Sequence, residues 1–119
     1  MQREHEEAMR AEFSERIELE NKRFDPSTTD ADLDRIWDRT SEINQRWAGG
    51  PHAEHWEFLN DAHHDWKRSP ETMERFRADI AHNQEISGHV GLSDIQLRSL
   101  EQARDLTQPT VEQRPARER

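Results

Sequence analysis

The stretch HAEHWEFLNDAHHDW, residues 52–66, stands between Gly49-Gly50-Pro51 and Ser69-Pro70, with no glycine or proline inside it. Two such breakers around an uninterrupted run of this length predict one helix over 52–66. Turned at 100° per residue, the run separates into two faces. Trp56, Leu59 and Trp66 fall together, with His52, His55 and His63 among them. Glu54, Glu57, Asp61 and Asp65 fall on the opposite side, and His64 lies near their edge. A period of 3.6 with an apolar inner face and an acidic outer face is a helix that packs on other helices.

The segments on either side repeat that pattern. Upstream, Leu33, Ile36, Trp37, Thr40, Ile43 and Trp47 mark one face of a helix that Gly49-Gly50-Pro51 ends. Thr29 or a neighbour caps its start, and Asp30, Asp32 and Asp34 suit the positive end of its dipole. Before it, Asp25-Pro26-Ser27-Thr28 breaks a first helix over about 2–24, striped by Met9, Phe13, Ile17 and Phe24. Downstream, Ser69-Pro70-Glu71 supplies a cap, a proline at the first helical position and an acid behind it. Met73, Phe76 and Ile80 form the stripe of that helix, and Gly88 stops it. Ser93 and Gln96 are spaced as a capping box for a last helix, and Leu92 and Leu97 as a hydrophobic staple.

No segment alternates with period two, and valine occurs only at positions 90 and 111. The expectation is an all-α chain, a small bundle of four to five helices. Residues 1–107 form the helical domain, and 108–119, with two prolines and one large apolar residue, a disordered tail. The four tryptophans, at 37, 47, 56 and 66, are placed on inner faces of consecutive helices.

Composition narrows the function. The chain lacks cysteine, which excludes disulfides, thiolate-bound zinc and thiol catalysis. No apolar run approaches the ~20 residues of a membrane span and no signal-peptide pattern opens the sequence, so a cytoplasmic protein is expected. Of the net charge of −9, residues 25–66 carry −7. An acidic chain lacks the basic footprint that direct nucleic-acid binding needs. Serines occupy caps and helix surfaces with no nucleophile elbow before them, and Gly49-Gly50-Pro51 lacks the spacing and the lysine of a phosphate loop. Catalysis by this chain therefore has no motif to support it.

The reading that remains is a non-catalytic, acidic protein-interaction module: a regulator, inhibitor or accessory subunit. Its partner-binding residues are expected in the first half of helix two, at Asp30, Asp32, Asp34 and Asp38. The outer face of helix three adds Glu54, Glu57, Asp61 and Asp65. The expected partner is a protein with a basic surface. Hydrophobic residues make up only 30% of the chain against 36% charged, so a thin core also suggests a homodimer or a tight hetero-complex. A nucleic-acid-mimicking decoy is an alternative use of the same acidity.

The other alternative is a metal. No cofactor is expected from the interaction reading, but His55, Asp61, His64, Glu85 and His89 are the candidate ligands of a zinc or iron site. His52 with His55, and Asp61 with His64, stand one turn apart, as ligands on a helix must. Asp61-Ala62-His63-His64 imitates once the Glu-x-x-His motif of helical di-iron proteins, with Asp for Glu. IAHNQEISGH, residues 80–89, resembles the metal-binding helix of encapsulated ferritin-like proteins, which would imply iron; the defining Glu-x-x-His pair is absent from it. Arg75-Phe76 to Asp79, Gly91-Leu92-Ser93 and Arg104-Asp105 are similar to the small helical subunit of ring-opening extradiol dioxygenases.

Overall fold

A computed structural model describes residues 1–88 and 91–107. The described residues form an all-α fold with five helices: α1 (Arg3–Lys22), α2 (Asp30–Ala48), α3 (Ala53–Arg68), α4 (Pro70–Ser87) and α5 (Asp94–Thr107). Among the described residues no helix is long and apolar enough to cross a membrane. The tail expected over 108–119 lies outside the described residues.

Local chemistry sets the boundaries. At the α1–α2 turn Asp25 Oδ1 accepts from Ser27 N (2.9 Å) and Oγ (2.8 Å), and Thr28 Oγ1 donates to the Lys22 carbonyl at the end of α1. These short-range bonds turn the chain without help from elsewhere. Thr29 then caps α2 reciprocally: Asp32 N donates to Thr29 Oγ1 and Thr29 N to Asp32 Oδ2, both at 3.1 Å. Gly50 is required where it stands, because a Cβ there would lie 2.6 Å from the Arg46 carbonyl oxygen. Gly88 closes α4 at φ +71°, the left-handed conformation that glycine adopts without strain.

The start of α5 is the expected capping box, with Ser93 N to Gln96 Oε1 at 3.0 Å and Gln96 N to Ser93 Oγ at 3.2 Å. The start of α4 differs from expectation. Ser69 is the N-cap residue, yet its side chain caps nothing: its ψ is 65°, against 170° at Thr29, away from the extended backbone that aims a cap at the second and third helical N–H groups. Thr29→Ala and Ser93→Ala should therefore each cost about 0.5–2 kcal/mol. Ser69→Ala should leave the urea midpoint nearly unchanged. Equal losses at all three positions would show that Ser69 does cap α4.

The helices group into two compact units, residues 1–57 and from 58 onward; the first residues of α3 belong to the first and the rest to the second. In the first unit Met9, Phe13 and Ile17 of α1, Ile36, Ile43 and Trp47 of α2, and Trp56 of α3 are buried. Trp47 stacks on Trp56 (centroids 6.2 Å) and Phe13 meets Trp56 edge-on (5.4 Å). A polar seam joins α1 to α2. Arg39 forks onto Glu15 at 2.7 and 2.9 Å, while Glu12 accepts from Arg46 (2.6 Å) and from Trp47 Nε1 (2.8 Å). Glu15 pairs with Arg39 and Glu12 with Arg46, so the pairs run in opposite order and the helices are antiparallel.

In the second unit the buried apolar residues are Leu59, Ala62 and Trp66 of α3, Met73 of α4, and Leu100 and Ala103 of α5. Arg77–Glu101 (2.7 Å) and Arg104–Glu74 (2.8 Å) again pair in opposite order, which makes α4 and α5 antiparallel. The stripe expected on α4 is only partly covered: Met73 is buried and Ile80 half-buried, whereas Phe76 is exposed.

Candidate protein-binding face

Helix α2 positions the candidate residues by its register. Ile36, Thr40, Ile43 and Trp47 turn inward, and Thr40 Oγ1 donates to the Ile36 carbonyl at 2.9 Å, which hides its hydroxyl from the core. Trp37 lies about 90° round the helix from that stripe, by the 100° step. It is 68% exposed, so the expectation of four inward tryptophans fails at this one position. Leu33, one turn before it, is 38% exposed. The helix is apolar over a wider arc than α1 covers.

Beside Trp37 run Asp30, Asp34 and Asp38 at spacings of four, all exposed and in ion pairs with none of the described residues. Three carboxylates one turn apart along one edge, next to an uncovered indole, make a face both anionic and apolar. Asp32 has a different employment. It serves the Thr29 cap and pairs with Arg35, and the hydrogen bond from the Thr29 backbone is the chief reason its pKa lies below the ordinary carboxylate value. Its carboxylate is already occupied.

The acids of α3 are arranged as the 100° reading expects. Glu54, Glu57, Asp61 and His64 are exposed, and Asp65 pairs with Arg68 at 3.0 Å. On the other face Trp56, Leu59, His63 and Trp66 are buried and His52 and His55 half-buried.

Between the end of α1 and the start of α2 a cleft of about 480 Å³ is lined by Lys22, Asp25, Asp32, Arg35 and Arg39, among others. Its two acids are taken by the turn and the cap, and Arg39 by Glu15 and Glu42. That leaves its walls charged but largely self-satisfied.

Of the candidate metal ligands, His55, Asp61, His64 and Glu85 are described and His89 is not. Among the described residues no three histidine or carboxylate side chains come together as a metal-binding group. A pairing the sequence did not indicate does occur. His5, on α1, places Nδ1 3.3 Å from Nε2 of His52. The His52 ring is also 6.3 Å from Trp47 and 6.5 Å from His55, centre to centre. Loss of hydration, then the neighbouring His5, hold its pKa below the usual imidazole value, with His55 adding to the effect. Forty-seven positions separate His5 from His52, so no local pattern could have joined them.

No protein-family model, curated protein or solved structure matches the chain. The two short resemblances, over 80–89 and 75–105, therefore gain no support beyond their own residues.

Proposed function

We propose that the chain works by binding another protein, as a regulator, inhibitor or accessory subunit, through the outer face of α2. Trp37 is the anchor. Asp30, Asp34 and Asp38 recognise a basic segment that carries an apolar residue. The observation that carries this reading is a tryptophan 68% exposed beside carboxylates that have no ion-pair partner among the described residues. Exposing an indole forgoes several kcal/mol of burial, roughly what a hot-spot residue returns when a partner covers it. The acids add steering and exclude wrong partners more than they add affinity.

A second copy of the chain fits this face poorly, since a two-fold contact would bring the same three carboxylates against each other. Residues 25–66, with a charge of −7, favour a cationic partner instead.

The test is retention of partners from native extract by the full chain and by two variants with unchanged circular dichroism. Trp37→Ala should weaken retention by about 2 kcal/mol, a factor of roughly thirty. Asp34→Asn with Asp38→Asn should slow association and flatten its salt dependence. Retention lost instead on Glu54→Gln with Asp61→Asn would move the site to α3. Displacement of the partner by excess duplex DNA would favour the decoy reading.

A further inference from the structure

We propose that His5 and His52 form a binding site for a divalent transition metal such as zinc or nickel, independent of the α2 face. Two imidazoles bound to one tetrahedral ion through bonds of about 2.0–2.1 Å hold their nitrogens about 3.3–3.4 Å apart and their ring centres about 5.2 Å apart. In the structure the two nitrogens are 3.3 Å apart and the two centres 5.1 Å. That pair of distances suits a shared ion as well as it suits a direct N–H···N hydrogen bond, and the rings are tilted by 46° rather than stacked.

The fold presents the pair ready-made. His52 follows the Gly49-Gly50-Pro51 turn, whose geometry tolerates no side chain at Gly50, and its own carbonyl accepts from the backbone N–H groups of His55 and Trp56, both at 3.1 Å. His5 projects from the first turn of α1, and His52 is the turn residue immediately before α3. His55 follows in the first turn of α3; its ring centre, 6.5 Å from that of His52, is too far to share the ion as placed. Water would complete the coordination. Such a site bridges α1 and the α2–α3 turn within the first unit, and a metal there would stabilise that unit by mass action.

The experiment uses the full chain, stripped with chelator and titrated with zinc chloride in a calorimeter. One equivalent should bind, and His5→Gln and His52→Gln should each weaken binding at least about tenfold. The exposed His64→Gln should bind as the parent does. His5 is exposed, so its replacement tests the site without disturbing a core. As a second readout, nickel should quench tryptophan fluorescence, because Trp47 lies 6.3 Å from His52, and the quench should vanish in His52→Gln. Zinc heats unchanged by His5→Gln, or an equal loss in His64→Gln, would overturn the site and leave the protein-binding proposal untouched.

Discussion

Replacing Trp66 by alanine is expected to destabilise the protein by about 3–5 kcal/mol, whereas Trp66→Phe should cost no more than about 2. Trp66 is only 2% exposed, and the Arg104 guanidinium sits 5.8 Å from its ring centre. Its indole N–H, however, is buried without a hydrogen-bond acceptor among the described residues. Alanine removes the ring and leaves a large void. Phenylalanine keeps most of the ring and removes a donor that is costly to leave unsatisfied, and that gain offsets part of the lost area. Urea denaturation followed by circular dichroism checks both. If phenylalanine proves as damaging as alanine, the N–H contributes a bond and the indole is held by more than packing.

Phe13→Ala should cost a similar 3–5 kcal/mol, a large part of the 5–15 that holds a typical domain. Phe13 is completely buried and meets Trp56 edge-on. The Arg16 guanidinium lies 4.9 Å from its ring centre and 5.4 Å from that of Trp56, and Arg16 donates to Asn44 on α2 at 3.0 Å. Burial lowers the pKa of Arg16, so the aromatic faces and the nearby Glu20 compensate a charge that has lost hydration. Removing Phe13 deletes apolar burial, an aromatic contact and one face beneath that charge. Phe13→Leu, which keeps the burial but not the ring, should recover more than half of the loss. Recovery below that would mean the aromatic contacts outweigh the area.

The helix ends and the faces of α3 were written in the chain because the interactions behind them are local. Thr29 with Asp32, Ser93 with Gln96, Asp25 with Ser27, and the glycines at 50 and 88 act within a few residues, so spacing alone exposes them. The 100° step likewise put His63 with Trp56 and Trp66 on the buried side of α3, and Asp61 and His64 outside. Ser69 shows the limit of that logic: the residue type was right for a cap, but its backbone does not take the extended conformation that a cap needs.

Periodicity says which side of a helix is apolar, and only packing says how much of that side is covered. Leu33, Ile36, Trp37, Thr40, Ile43 and Trp47 read as one stripe, yet burial stops short of Leu33 and Trp37, because the neighbours of α2 cover a narrower arc than the stripe spans. The acids follow the same rule. Asp30, Asp32, Asp34 and Asp38 look alike in sequence, and the fold commits Asp32 to a cap and an arginine while its three neighbours pair with none of the described residues. His5 and His52 meet only because α1 and the start of α3 are brought together by tertiary packing. The sequence by itself determined an all-α chain of four to five helices, most of their ends and their apolar sides. Tertiary structure decided which apolar and acidic groups remained open, since exposure depends on what packs against a residue and not on its neighbours in the chain.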